Sequence, residues 1–116
     1  MARILVDSDV LVDHLRGQRR FNPGRDEVHV SAITRAELFA GRSTEESRVR
    51  RLLAAITEIP VDMAIAERGG RLRRTSTTRL PDALIAATAI EQGLTLVTRN
   101  ARDFGSVQGL RIRAPD

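Results

Sequence analysis

The sequence predicts an α/β fold: a mostly parallel sheet of four or five strands, with helices on both faces to give three layers. Short β-type runs alternate along the chain with segments whose apolar residues recur at helical spacing. Gly, Pro and Asn fall between these segments rather than inside them. A third observation concerns acids. Asp7, Glu37, Asp82 and Asp103 each follow or interrupt an apolar run: ILV before Asp7, VHVSAI shortly before Glu37, ALIAATAI after Asp82, and LTLVT a few residues before Asp103. In a parallel α/β sheet, ligands bind beyond the carboxyl ends of the strands, where helices begin. These runs would bring four distant carboxylates to that one edge.

Taken in order, Arg3 to Val6 is a β-type run, and Ser8 to Leu15 places Val10, Leu11, His14 and Leu15 on one helical face. Gly17 to Arg25 is punctuated as loop, and Glu27 to Ser31 alternates as a second strand. Thr34 to Ala40 predicts a helix stopped at Gly41. Thr44 to Ile56 predicts another, with Val49, Leu52, Leu53 and Ile56 inward. Thr57 to Val61 reads as a strand and Asp62 to Arg73 as a helix, followed by a polar turn from Thr75 to Arg79. Pro81 suits the start of a helix that runs to Gln92 and ends at Gly93. Leu94 to Thr98 is a strand, and Gly109 to Arg113 could add a short edge strand. With no linker, repeat or low-complexity stretch, residues 1–116 are expected to form a single domain.

Composition narrows the chemistry. The chain is 41% hydrophobic and 29% charged, with no apolar run of the roughly 18 residues a membrane span needs. Its amino terminus lacks a signal-peptide pattern, so a cytoplasmic protein is expected. Absence of cysteine excludes disulfides, thiolate zinc sites and a cysteine nucleophile. All nineteen basic residues are arginine; without lysine there is no P-loop and no Schiff-base chemistry. A formal charge of +4 carried on guanidinium forks, beside an acidic cluster, suits an enzyme acting on nucleic acid. It is equally compatible with codon usage and solubility.

Each acid has an ordinary explanation when taken alone. Asp7 could cap a helix, and Glu37 completes the capping-box sequence Thr34-Arg35-Ala36-Glu37. Asp82 suits the first turn of a helix through the dipole, and Asp103 could stabilise a turn. Caps do not explain a shared edge. Facing carboxylates raise one another's pKa and destabilise the fold unless a cation joins them, and hard oxygen donors without thiolate point to Mg²⁺ or Mn²⁺. Asp9 could orient Asp7 or reach a metal through water, and Ser8 could hydrogen-bond a ligand carboxylate. Asp13 is expected to face solvent, and His14 and His29 to be packing residues.

The segments ILVDSDVLVDHL, VSAITRAELFAGR, LPDALIAATAIEQGLTLVT and RNARDF together resemble the PIN-domain ribonucleases, specifically the VapC-type toxins of bacterial toxin–antitoxin systems. The resemblance spans nearly the whole chain. It implies a PIN-like fold, Mg²⁺- or Mn²⁺-dependent endonucleolytic cleavage of RNA, a homodimer, and neutralisation by a cognate antitoxin. Carried over by position, it assigns Asp7, Glu37 and Asp82 as catalytic metal ligands. The fourth acid falls either where this chain has Asn100 or on Asp103; an amide adds no negative charge, which favours Asp103 with Asn100 as helper. Arg79 and Arg99 are expected near the RNA backbone. The segment between Arg74 and Leu80 is short for the family. Two other functions fit parts of the pattern: a non-catalytic module whose acidic groove takes a partner's arginines, and an aspartyl phosphotransferase built on Asp7-Ser8-Asp9. The absence of lysine and of room for a cap domain counts against the last.

Overall fold

A computed structural model of the chain describes residues 1–42 and 45–115. Five parallel strands form one sheet: β1 (Arg3–Val6), β2 (Glu27–Ser31), β3 (Thr57–Ile59), β4 (Thr95–Val97) and β5 (Ile112–Arg113), in the order β3-β2-β1-β4-β5. Five helices accompany them: α1 (Ser8–Leu15), α2 (Ala32–Phe39), α3 (Glu46–Ala54), α4 (Met63–Thr75) and α5 (Leu80–Gln92). A short 3-10 helix spans Ala101–Phe104.

The central strand shows why three layers form. Successive side chains of β1 point to opposite faces. Ile4 and Val6 pack with Val10 and Leu11 of α1, Leu38 of α2 and Val49 and Leu53 of α3. Leu5 packs on the other face with Ile65 of α4, Ile85 of α5 and Phe104. Both faces are therefore dry, and a strand buried on both faces must be apolar throughout, as ILV is. Among the described residues no helix is long and apolar enough to cross a membrane.

The expected boundaries of β1, α1 and β2 hold, as do the ends of α5 at Gln92 and its left-handed cap, Gly93 (φ 66°). Others move for local reasons. α2 begins at Ala32 rather than Thr34, because Ser31 caps it: the Ile33 N–H donates to the Ser31 hydroxyl at 3.0 Å. The capping box at Thr34 is thereby overturned, and Glu37 lies in the body of the helix. β3 stops at Ile59, where Pro60 has no N–H to give a ladder. α4 starts after its cap Asp62, whose carboxylate accepts from the Ile65 N–H at 2.9 Å, and runs on to Thr75. Thr44, expected to open α3, lies outside the described residues; the helix described begins at Glu46. β4 and β5 are shorter than the runs that predict them.

Candidate active site

Because all five strands are parallel, their carboxyl ends share one edge, and β1 delivers Asp7 to it directly. Asp7 is 6% exposed and both of its oxygens are engaged. Its Oδ1 accepts from the Ser8 N–H at 2.8 Å, so it does cap α1. Its Oδ2 accepts from the Thr98 hydroxyl at 2.8 Å, immediately beyond β4. Capping α1 therefore occupies only half of this carboxylate.

The other acids gather around it. Asp9, in the first turn of α1, accepts from the Arg99 backbone N–H at 3.0 Å, and its Oδ2 lies 3.4 Å from the Thr98 hydroxyl. Glu37 accepts from the Ser8 hydroxyl at 2.5 Å, which ties α2 to the start of α1. Asp82 stands in the first turn of α5, after a cap residue, Arg79, that makes no side-chain capping bond. Asp103 is exposed on the 3-10 helix, whose position is fixed by the buried Thr78 hydroxyl donating to the Asp103 carbonyl at 3.3 Å.

The proximity of these acids is written in their electrostatics. Burial, then repulsion from Asp9 and Asp82, lifts the Asp7 carboxyl to about 7, against the hydrogen bonds from Thr98 and Ser8. Burial raises Asp82, reinforced by Asp103, Glu37 and Asp9 and opposed by Arg79. Asp9 is raised chiefly by burial. For Asp7 this disfavours the ionised form by on the order of 4 kcal/mol. Burying each of Ile4, Leu5 and Val6 contributes about 1.5–3 kcal/mol, so the strand that carries Asp7 more than offsets that cost.

Asp7, Ser8, Asp9, Glu37, Asp82 and Asp103 are thus neighbours at one edge, drawn from β1's end, α1, α2, α5 and the 3-10 helix. Their donor set is oxygen only, their mutual repulsion is offset only in part by Arg79 and Arg99, and the Oδ1 of Asp9 is buried without a hydrogen-bond partner. These features suit a hard divalent cation. Among the described residues, however, no three acidic or imidazole side chains stand in an arrangement that encloses one ion. The protein's own hydrogen bonds, chiefly from Ser8 and Thr98, hold the carboxylates instead. Glu37 and Asp103 are exposed, whereas Asp7 is buried and held at both oxygens by Ser8 and Thr98.

Two expectations fail. Arg99 does not face outward toward a nucleic-acid backbone: its side chain is 16% exposed and its Nη1 donates to Asp13 Oδ2 at 3.1 Å. The same contact overturns a solvent-facing Asp13, which is 27% exposed at its side chain. The short loop after β4 turns Arg99 back over α1, and a buried guanidinium needs a carboxylate. Arg79 is exposed beside Asp82. Asn100 is exposed; its backbone N–H donates to the Thr98 hydroxyl at 3.0 Å, and among the described residues its side-chain amide makes no hydrogen bond. His14 accepts from the Phe21 N–H, and His29 is buried against the Ile4 carbonyl, both as packing residues. Thr98 is the functional residue that the sequence concealed. A β-branched residue closing an apolar run reads as strand, and only the fold shows its hydroxyl between Asp7 and Asp9.

Comparison with known proteins agrees with this architecture. The PIN domain family matches residues 4–110. The chain is 41% identical over 124 residues to the ribonuclease VapC10 of Mycobacterium tuberculosis, covering 93% of this chain and 90% of that one. It is 37% identical over 114 residues to the ribonuclease VapC19 of the same organism, covering 86% and 90%. A toxin–antitoxin complex from Klebsiella pneumoniae contains a chain that superposes with a TM-score of 0.80 at 33% identity, covering 97% of this chain and 98% of that one. The crystal structure of VapBC2 from Rickettsia felis, bound to a promoter DNA fragment, shares the fold with a TM-score of 0.80 at 21% identity. The match over residues 4–110 and the identity to VapC relatives along nearly the whole chain establish that the chain belongs to the PIN domain family.

Proposed function

We propose that this protein is the toxin of a toxin–antitoxin pair and cleaves RNA endonucleolytically by hydrolysis, with Asp7, Glu37, Asp82 and Asp103 holding Mg²⁺ or Mn²⁺. The observation that carries this reading is the convergence on Asp82, where burial and repulsion from Asp103, Glu37 and Asp9 outweigh the attraction of Arg79 in a chain of net charge +4. A bound divalent ion would activate water and stabilise the leaving oxygen. The chain's own residues do the remainder. Thr98 and the Ser8 N–H orient Asp7, the Ser8 hydroxyl orients Glu37, and Arg79 offers a guanidinium for an RNA phosphate beside Asp82.

A cognate antitoxin is the expected protein partner. An apolar trough of about 340 Å³ between α2 and α5, lined by Ile33, Ala36, Ala40, Leu80, Pro81 and Leu84, also touches Glu37. A polypeptide lying in it would cover the acidic edge as well. A homodimer is expected from the resemblance. Leu38, Val49 and Leu53 are spent in the core, which leaves Phe39, Leu52 and Ile56 half-buried as candidates for its surface.

The test is incubation of the purified chain with a mixed cellular RNA pool in Mg²⁺, in Mn²⁺ and in EDTA, with Asp82→Asn alongside. Discrete fragments that need metal are expected, and Asp82→Asn should cut at least about 100-fold more slowly while remaining folded. Intact RNA in both metals, from folded protein, would leave the non-catalytic module with an arginine-binding groove as the reading.

A further inference from the structure

Two buried polar atoms among the described residues lack a hydrogen-bond partner: Oδ1 of Asp9 on α1, and Nε of Arg99, the residue after β4 whose backbone N–H donates to Asp9 Oδ2. One is an acceptor on an acid, the other a donor on a group that is always charged. Leaving such atoms unsatisfied costs about 1–3 kcal/mol each, so other contacts must hold them apart. Those contacts are present. The Arg99 backbone N–H is given to Asp9 Oδ2 at 3.0 Å, which brings the residue to α1. Its guanidinium is then drawn to Asp13 at 3.1 Å, one turn further along the same helix face. Asp9 Oδ2 also lies 3.4 Å from the Thr98 hydroxyl that holds Asp7 Oδ2 at 2.8 Å, so Arg99 is anchored beside the acid that leads the edge. Asp9 in turn acts on both Asp7 and Asp82.

We propose that Arg99 is a positioning residue that serves as the chain's own counter-charge to the acidic edge, and that Asp13, by holding the guanidinium back from Asp9, sets how tightly that edge binds a divalent cation. Arg99 touches neither the cation nor the RNA in this role. The inference rests on the metal-dependent reading above. It has a signature that a merely structural ion pair lacks, because breaking the pair from its two sides has opposite effects. Arg99→Gln removes positive charge from the edge and tightens cation binding. Asp13→Asn frees the guanidinium to turn onto Asp9 Oδ1 and weakens it. The double variant keeps the tightening, since without the guanidinium Asp13 has nothing to hold.

The experiment is calorimetric titration of Mn²⁺ into the full chain without RNA, with circular dichroism to check folding. Arg99→Gln is expected to bind about threefold to tenfold tighter than wild type and Asp13→Asn weaker by a similar factor, the scale of one charge acting on a divalent ion through partly hydrated protein. Arg99→Lys, which keeps the charge, is expected within about twofold of wild type. Both single variants shifting in the same direction, or a double variant that returns to wild-type affinity, overturns the inference alone. A folded wild type that takes up no Mn²⁺ overturns the metal reading and the inference with it.

Discussion

Asp7 shows how a buried acid and a stable fold pull against each other. Burial pushes its carboxyl up to about 7 in the folded chain, from an ordinary 3.8 when unfolded, so the folded state holds the proton more tightly. The contribution of Asp7 to stability is then greatest below pH 3.8, falls as pH rises from there to about 7, and is flat above. Asp7→Asn removes the liability while its oxygen can still accept from Ser8. In EDTA the variant is expected to be more stable than wild type by about 1–3 kcal/mol at pH 8 and scarcely different at pH 4. Urea denaturation at the two pH values measures this, and equal stabilisation at both would show that repulsion at Asp7 is not the cause. The sequence disclosed Asp7 because an aspartate directly after ILV is costly unless it is used. It concealed Thr98 and the turning inward of Arg99, because a hydroxyl or guanidinium declares its partner only when residues 91 or 86 positions away arrive beside it.

At the scale of elements, α4 and α5 pack closely because Gly69 leaves room for Leu84. A Cβ at Gly69 would stand 2.5 Å from the Leu84 Cδ2 and 3.3 Å from its Cα, whereas one at Gly70 would meet nothing within 4 Å. Replacing helical glycine by alanine normally stabilises by about 0.5–1 kcal/mol. Gly70→Ala is expected to do so, and Gly69→Ala to destabilise by about 1 kcal/mol or more because α5 must shift. Since α5 carries Asp82, the Gly69 variant should also cleave RNA more slowly; thermal melts and RNA cleavage assays of the two check both points. Elements were legible wherever periodicity and punctuation agreed, as at Pro81 and Gly93 around α5. They were misjudged where two capping signals competed, as at Ser31 and Thr34. The buried Ser31 won because β2 delivers it to the sheet edge, where the first N–H groups of α2 need an acceptor.

For the molecule as a whole, parallel topology was legible from the alternation of strands and helices, and the convergence of acids followed from it. Strand order was not, since nothing local reveals that β1 lies between β2 and β4. The last strand matters more than its two residues suggest. The Arg113 carbonyl accepts from the Thr98 N–H at 3.1 Å, the Arg111 carbonyl from the Leu96 N–H at 2.8 Å, and Arg113 is paired with Asp26 at 2.7 Å. A chain ended at Gln108 is expected to melt several degrees lower and to bind Mn²⁺ more weakly than full-length protein, because β4 no longer fixes Thr98. Unchanged Mn²⁺ affinity in the shortened chain would show that β4 needs no neighbour on that side.

The 91-residue separation between Asp7 and the hydroxyl that holds it also bears on synthesis. A ribosome that has translated as far as α4 has produced Asp7 and Glu37 but not Asp82, Thr98 or Asp103, and β1 still lacks the strand on its other side. A nascent chain at that stage therefore carries no assembled acidic edge. Only once synthesis has passed β4 and β5, so that β4 docks on β1 and β5 on β4, can the carboxylates come together.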